Sequence, residues 1–350
     1  MLIFYKIMMN VFSENYVPKK LLHREFELNE IKSIFDNFDK YNMGTNLIIR
    51  GVSGSGKTSL VRNIITERQN SLFISCRETK TAFKSLKSMF NYVGKRHISD
   101  LISYIISYLK ENRKILIFDE VDKLKDFSEF IDILNTIYRN TMIPIILVTV
   151  KFNLTSLMPD DAVKTLFFEK INLPSYKSSE IKDILENRIE LSGLDKNNIP
   201  SHVVPLISAI AGKIGSCRVA ISIFSRCLQR GNFDELFIKK VYEDLEKEDW
   251  FGFYQDLNET ERNFLKILLE DLKPNEVLGA GYLKKRLSEY EGKNYSLARI
   301  SQIINLFENY SVLRSFHKNM GRGGGRKRYV KFFSEGIYKD ILKSMDKRVW

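Results

Sequence analysis

The sequence predicts an α/β domain, followed by an all-helical domain and then by a second helical domain that carries a β-hairpin. Three patterns support this order. Between Phe26 and Phe168, short apolar runs rich in β-branched residues alternate with segments of helical spacing, which is typical of a parallel sheet with helices on both faces. From residue 173 to residue 249 the spacing is helical only, and beyond it helical segments precede strand-like residues around a glycine cluster. We therefore expect three domains, at residues 11–168, 169–249 and 250–350.

Composition and charge limit the class of protein. A chain of 350 residues is too long for one ordinary core, and 44% hydrophobic with 28% charged residues is typical of a soluble globular protein. The formal net charge of +12 favours a polyanionic partner, because clustered Lys and Arg release counterions from a phosphate backbone. A soluble protein that is merely rich in lysine would have the same net charge. The positions of the charges must therefore decide between a polyanion-binding protein and this alternative.

The cysteines and the first residues of the chain indicate an intracellular location. Cys76, Cys217 and Cys227 are far apart and form no CxxC pair, so neither a disulfide framework nor a zinc site is expected. The opening MLIFYKIMMN lacks the charged start and cleavage site of a signal peptide and is too short for a membrane span. We interpret it as an extension and expect a cytoplasmic, intracellular protein without a membrane partner.

The first chemical motif lies between a predicted strand and the helix after it. In LIIRGVSGSGKTSL, Gly51 is followed by four residues and then by Gly56, Lys57 and Thr58, which is a P-loop in the strand–loop–helix context that it requires. Lys57 is suited to neutralise the β- and γ-phosphates of ATP or ADP, and Thr58 is suited to bind Mg²⁺. The predicted nucleotide contacts in this segment are Val52, Ser53, Gly54, Ser55, Gly56, Lys57, Thr58 and Ser59.

A second motif, KILIFDEVDKL, ends an apolar strand in two carboxylates. Asp119 is suited to hold Mg²⁺ through water, and Glu120 is suited to polarise an attacking water as the general base of hydrolysis. An acidic turn that caps the next helix is the alternative interpretation. Together with the P-loop, these residues predict an ATP site with Mg²⁺ as cofactor.

Four further segments lie in a particular order around these motifs: VFSENYVPKKLLHREFELNEI from Val11, SCRETKTAFKSL from Ser75, NLPSYKSSEIKDILENR from Asn172 and GSCRVAISIFSRC from Gly215. The chain also contains the P-loop, the Asp-Glu strand, a predicted helical lid and C-terminal helices. In this order, these segments resemble those of the AAA+ initiators, in particular the archaeal origin-recognition and cell-division-cycle family of replication proteins. The resemblance extends from Val11 to Phe333. It implies an AAA+ P-loop NTPase domain, an all-α lid and a C-terminal winged helix.

The resemblance also implies roles for single residues. An aromatic residue and an arginine of the lid, Tyr176 and Arg188, would approach the nucleotide, and Arg218 would lie at the γ-phosphate. Without the resemblance, structural roles are favoured for all three residues: a helix anchor for Tyr176, a pair with a neighbouring Glu for Arg188 and a solvated charge for Arg218. The residues that would pack beside the adenine are Tyr16, Val17, Pro18, His23, Arg24 and Glu25.

The sequence departs from the family pattern at two positions. After the strand IPIILVTV the family usually has an Asn, but Val150 stands here, beside Thr149, and Asn153 lies further along. In DDAVKTL, Ala162 stands where the family tends to have an arginine. Valine cannot orient a water and alanine cannot act as an arginine finger, so we expect slow ATP hydrolysis.

The C-terminal segment NYSLARISQIINLFENYSVL predicts a helix with two faces. Ser296 is suited to cap it, and Leu297, Ile300, Ile304 and Phe307 have the spacing of buried residues. The opposite face carries Arg299, Gln302 and Asn305, which can contact phosphates and base edges in the major groove of double-stranded DNA. A solvated helix face is the alternative.

The glycine cluster in MGRGGGRKRYVKFF has three interpretations: a flexible linker, an RNA-binding tail or the tip of a β-hairpin. Strand-like residues stand on both sides of it, and no Asp or Glu occurs between Ser311 and Phe333. This favours a hairpin that acts as the wing of a winged helix on a phosphate backbone. The cations expected to contact DNA are Arg322, Arg326, Lys327 and Arg328.

The resemblance therefore implies an ATP-regulated protein that binds double-stranded DNA, recognises replication origins and helps to initiate replication on the chromosome. Its partners would include other initiator subunits and the replicative helicase. The alternative is a P-loop signalling ATPase that regulates transcription through the same winged helix. A DNA-translocating motor is less favoured, because the sequence contains one P-loop unit and no evident strand-tracking apparatus.

Overall fold

The computed structural model describes residues 10–333, except residues 14–15, 43, 69, 95–96, 152–153, 310–311 and 320–325. The chain divides into two compact units between Ile238 and Lys239. The more detailed division into three domains stays a prediction.

The first unit is built on a five-stranded parallel sheet with the strand order β2-β3-β4-β1-β5. Its strands are β1 (Leu47–Gly51), β2 (Ser71–Ser75), β3 (Ile115–Asp119), β4 (Ile145–Thr149) and β5 (Glu169–Leu173). Every residue of β3 and β4 is buried, which explains their continuous apolar sequences. Four of these strands were predicted. The fifth, β5, pairs with β1 and extends the sheet beyond residue 168, where the prediction ended it.

Helices surround this sheet and continue after it. They are α1 (Glu25–Tyr41), α2 (Lys57–Glu67), α3 (Cys76–Thr79), α4 (Ala82–Met89), α5 (Ile98–Asn112), α6 (Phe127–Thr141), α7 (Asp160–Leu166), α8 (Ser178–Ser192), α9 (Val203–Ile214), α10 (Cys217–Arg230) and α11 (Glu235–Asp256). The predicted helical lid corresponds to α8, α9 and α10, which pack on one another. Within the described part of the chain, no helix is both long and apolar enough to cross a membrane.

The described residues of the second unit form three further helices and a small antiparallel sheet, the arrangement of a winged helix. The helices are α12 (Glu259–Asp271), α13 (Ala280–Glu291) and α14 (Leu297–Asn309). The sheet has the order β6-β8-β7, with strands β6 (Leu278–Gly279), β7 (Leu313–Asn319) and β8 (Arg326–Phe332). The strands β7 and β8 pair as the predicted hairpin; residues 320–325, which connect them, lie outside the described residues.

Helix α14 shows which of the predicted core residues are buried. Ile300, Ile304 and Phe307 are fully buried, as predicted. The prediction for Leu297 is wrong, since 54% of this residue is exposed. Leu297 is the first residue of the helix, and the buried face begins only one turn later, at Ile300.

Candidate functional site

The P-loop connects β1 to α2 and approaches the start of α10 closely. Gly54 and Gly56 have φ angles of 78° and 92°, in the left-handed region that favours glycine. A Cβ atom on Gly54 would lie 2.0 Å from the Ser216 hydroxyl oxygen, so a side chain does not fit there. The backbone N–H of Cys217 donates to the Gly54 carbonyl at 3.2 Å. The glycines therefore allow both the loop conformation and its contact with the lid.

The start of α2 has the features of an anion site. No side chain caps this helix, whose N-cap is Gly56, so its first backbone N–H groups remain available to phosphate oxygens. The hydroxyl of Ser55 is buried and has no hydrogen-bond partner among the described residues. An uncapped helix start beside an unsatisfied buried hydroxyl fits the phosphates of a nucleotide.

Lys57 lies inside this loop. Its ammonium donates to the carbonyl oxygens of Gly51 at 2.9 Å and of Val52 at 2.7 Å. Burial lowers the pKa of Lys57 to about 8. A partly desolvated cation held by two neutral acceptors is well suited to exchange them for phosphate oxygens.

The carboxylates of the second motif lie at the carboxyl end of β3, close to α2. The Thr58 hydroxyl donates to Asp119 Oδ2 at 2.8 Å, and the backbone N–H of Glu120 donates to Asp119 Oδ1 at 2.9 Å. Burial raises the pKa of Asp119, and the hydrogen bond from Thr58 opposes that rise. Hydroxyl and carboxylate oxygens are the ligands that Mg²⁺ prefers, so this pair fits the predicted ion.

Glu120 is held by residues that the sequence interpretation did not assign. Its carboxylate accepts a hydrogen bond from the Ser75 hydroxyl at 3.2 Å and forms an ion pair with Arg77 Nε at 2.9 Å. The backbone of Glu120 has a φ angle of 55°, which is uncommon for a residue other than glycine. Both partners belong to the segment SCRETKTAFKSL, but nothing in that segment shows that they would meet Glu120.

Arg24 and Tyr176 lie against the P-loop. Arg24 is 2% exposed; it donates to the Ser55 carbonyl at 3.2 Å and to the Pro174 carbonyl at 2.7 Å, and its guanidinium lies 3.8 Å from the centre of the Tyr176 ring. A Cβ atom on Gly56 would lie 2.8 Å from the Tyr176 hydroxyl, which shows how closely this residue approaches the loop. The predicted contact of both residues with the nucleotide stays a prediction.

Arg188 is buried and faces the first segment of the chain. It donates to the carbonyl oxygens of Val11 and Tyr16 and lies 4.6 Å from the centre of the Tyr16 ring. Nearby, the Asn63 amide donates to the Pro18 carbonyl at 3.0 Å. In this structure Arg188 therefore fixes the first segment to the lid. Val17 is partly buried beside Pro18.

The remaining residues with predicted nucleotide roles are partly or largely exposed. His23 is bonded to Asp183 at 3.0 Å, and Glu25 is exposed at the start of α1. Arg218 is exposed in the first turn of α10, where its charge contributes to the lowered pKa of Lys57. This places a third cation near the P-loop. The exposed Ser53 and the partly buried Ser59 lie in the loop and in the first turn of α2, respectively.

The two departures from the family pattern lie in different surroundings. The Thr149 hydroxyl and the Val150 backbone N–H both donate to Asp122 Oδ1, at 3.1 and 3.2 Å, so Thr149 is already engaged. Ala162 is fully buried, so a side chain at this position packs into the core. Asn153 lies outside the described residues.

In the second unit, Ser296 caps α14 as predicted, since its hydroxyl accepts from the Arg299 backbone N–H at 3.1 Å. Gln302 and Asn305 are exposed, and the Arg299 guanidinium donates to Gln302 Oε1 at 3.3 Å. The helix therefore presents a polar face to solvent, as both interpretations of the sequence require.

The hairpin cations differ from one another. Arg328 donates to Asn305 Oδ1 at 2.6 Å and pairs with Glu308 at 2.7 Å, so it joins β8 to α14. Lys327 is exposed. Arg322 and the side chain of Arg326 lie outside the described residues. Contacts of these cations with DNA stay predictions.

Comparison with known proteins shows what this chain resembles. A family model described as an AAA domain matches residues 42–158, which include the P-loop and Asp119. The ORC1-type DNA replication protein 2 of Thermoplasma acidophilum is 24% identical over 368 residues, which cover 96% of this chain and 91% of that protein. This chain is a divergent relative of the archaeal ORC1-type proteins.

Solved structures of ORC proteins show the same fold. The Aeropyrum pernix ORC1 protein, solved in complex with DNA, has a TM-score of 0.72 and 19% identity over 96% of this chain and 95% of that one. The Aeropyrum pernix ORC2 protein, solved with ADPNP and ADP, has a TM-score of 0.54 and 19% identity over 97% and 98%. The predicted AAA+ fold is thus confirmed, and these similarities agree with the predicted resemblance to the archaeal origin-recognition proteins.

Proposed function

We propose that this chain is an ATP-regulated protein that binds double-stranded DNA, recognises replication origins and helps to initiate DNA replication. The observation that carries the proposal is the resemblance to ORC1-type proteins over nearly the whole chain, which includes both a P-loop unit and a winged helix. Its partners would be duplex DNA, other initiator subunits and the replicative helicase, and it would act on the chromosome.

The nucleotide site would hold ATP or ADP through the P-loop backbone, the start of α2, Lys57 and Arg218. Thr58 and Asp119 would hold Mg²⁺, which would neutralise charge on the phosphates. Glu120 is the base candidate, but its carboxylate is engaged by Arg77 and Ser75 in this structure. It must be released from Arg77 before it can accept a proton from water.

Arg77→Ala is expected to raise the rate of ATP hydrolysis several-fold, because the substitution frees the Glu120 carboxylate from its ion pair. Glu120→Gln should instead reduce any hydrolysis by about 100-fold or more, since general-base catalysis contributes that much. Single-turnover assays on both variants would measure this, with Arg77→Lys as the control that keeps the charge. A lower rate in Arg77→Ala would show that Arg77 assists hydrolysis.

The affinity for ATP should fall as pH rises above about 8. With a pKa of about 8, Lys57 is protonated below that pH and loses its charge above it, while bound phosphates would favour the protonated form. From about pH 8 to about pH 9 the affinity should drop up to about tenfold, with proton uptake on binding. Titration calorimetry in buffers of different ionisation enthalpy would measure both quantities.

Lys57→Arg is the matched control for the pH experiment, because arginine stays charged throughout this range. The arginine variant should show no decline between pH 7 and pH 9. A wild-type affinity that is constant over the same range would contradict the assignment of Lys57 to the phosphates.

The two groups of proposed DNA contacts, on α14 and on the hairpin, should respond differently to substitution. Gln302→Ala should change the preference among duplex sequences by about 1–3 kcal/mol, because a side chain on an exposed helix face can contact base edges. Lys327→Ala should weaken binding to all duplexes alike and reduce the salt slope by about 0.9. Titrations of origin and random duplexes at several salt concentrations would separate the two effects. Equal behaviour of both variants would contradict the division into base and phosphate contacts.

Mapping the bound DNA across the genome tests the function itself. Sites at replication origins would support the proposal. Sites at promoters only would replace it with a transcriptional role for the same winged helix.

A further inference from the structure

The winged-helix sheet has an outer face formed mainly by residues that were not predicted to contact duplex DNA. The register pairs Leu313 with Phe332 and Ser315 with Val330, and three of these four residues are buried against the helices. Since side chains alternate across a strand, the intervening residues lie on the opposite side of the sheet. We call this side the outer face; it comprises Arg314, Phe316, Lys318, Tyr329 and Lys331, with Lys327 next to the turn.

Two aromatic rings form the centre of the outer face. Phe316 is paired directly with Tyr329, and their ring centres are 6.0 Å apart with an interplanar angle of 19°. Both residues remain partly exposed. On the neighbouring strand, Gly279 is paired with Tyr329, and a Cβ atom on Gly279 would lie 3.7 Å from that ring. A side chain at position 279 would therefore contact this ring, and glycine has none.

Cations surround the aromatic pair. The Lys318 ammonium lies 5.7 Å from the centre of the Phe316 ring and 5.4 Å from that of Tyr329. Arg314, whose guanidinium lies 3.9 Å from the centre of the Phe333 ring, and Lys331 are exposed. Neither Asp nor Glu occurs in the sequences of β6, β7 and β8. The outer face thus combines ring surfaces with positive charge.

This combination matches an unpaired nucleic-acid strand. Aromatic rings gain from stacking on bases that are not already stacked in a helix, while flanking cations attract the phosphates. A duplex offers its base edges in the grooves but not its base faces. A protein partner with an apolar surface would have to cover four cations as well as two rings, and burying unpaired charges is costly. We propose that the outer face binds single-stranded DNA through Phe316 and Tyr329, with Arg314, Lys318 and Lys331 on the phosphates.

Apart from Lys327, the outer face is separate from the residues proposed to contact duplex DNA. Arg328 lies on the other side of the hairpin, where it is bonded to Asn305 and Glu308 of α14. A single strand could therefore occupy the outer face without displacing the polar residues of α14. The proposal goes beyond origin recognition and can fail independently of it.

The test uses the full chain and a labelled oligothymidine. Replacing both rings, Phe316→Leu with Tyr329→Leu, keeps apolar volume but removes stacking, and it should weaken single-strand binding by at least about tenfold. The matched control, Phe316→Tyr with Tyr329→Phe, keeps both rings and should bind as the wild type does. Affinity for a random duplex should be the same in all three proteins, which also shows that the winged helix is folded.

Two further measurements complete the test. Photocrosslinking of wild-type protein to a halogenated oligodeoxynucleotide should modify Tyr329 or Phe316. The double substitution Lys318→Ala with Lys331→Ala should reduce the salt slope for single strands by up to about 0.7 for each phosphate that the variant no longer neutralises. The proposal is overturned if the leucine variant binds oligothymidine with wild-type affinity, or if the crosslinks map only elsewhere. Tighter, ring-dependent binding of oligouridine would assign the outer face to RNA instead of DNA.

Discussion

Lys57→Ala is expected to lower the affinity for ATP by at least about 100-fold. The ammonium lies inside the P-loop, 2.9 and 2.7 Å from two neutral carbonyl oxygens that phosphate oxygens can replace. Hydrogen bonds to charged groups contribute about 1.5–3 kcal/mol each, and about 1.4 kcal/mol corresponds to a tenfold change in affinity. Equilibrium titration with a fluorescent ATP analogue would measure the loss.

The matched control is Lys110→Ala, which removes an exposed lysine from α5 of the same unit. It should bind the analogue as the wild type does, with an unchanged far-UV spectrum in both variants. Unchanged affinity in a folded Lys57→Ala protein would remove the P-loop assignment.

Phe307→Ala is expected to destabilise the second unit by about 3–5 kcal/mol, the usual cost of deleting a buried phenyl ring. Phe307 is fully buried on α14, and its ring centre lies 5.7 Å from that of Phe253 and 5.6 Å from that of Phe264. Both tryptophans of the chain follow Lys239, so tryptophan fluorescence during urea unfolding reports on this unit.

Leu297→Ala provides the comparison on the same helix. Because Leu297 is largely exposed, its substitution should change the free energy of unfolding by no more than about 0.5 kcal/mol. Similar losses in the two variants would mean that the burial of Phe307 does not stabilise the unit.

Local sequence patterns predicted the strands that are buried on both faces, because almost all their residues are apolar. The central strands β3 and β4 are buried on both sides, so their apolar runs were evident, whereas β5 lies at the sheet edge with Glu169, Lys170 and Asn172 exposed. An edge strand with one covered face has no continuous apolar run, and β5 was therefore missed. Leu297 was assigned to the core because helical spacing alone does not show where the covered part of a helix begins.

The candidate site was predicted where its chemistry follows from adjacent residues. The P-loop and Asp119 are each defined by a short segment, and the contact between Thr58 and Asp119 follows from strands that end at the same sheet edge. The ion pair of Arg77 with Glu120 joins residues from different segments. Tertiary packing decides such partners, and a single sequence contains no local signal for them.

The position of Arg24 between the P-loop and the lid has a mechanical consequence. One buried guanidinium is bonded to the carbonyls of both Ser55 and Pro174. A rotation of the lid that carries Pro174 away must either break one hydrogen bond of a buried guanidinium or pull the Ser55 carbonyl with it, and the first outcome is costly. The lid and the phosphate loop therefore share one buried cation, so that a displacement of either one changes the hydrogen bonding of the other.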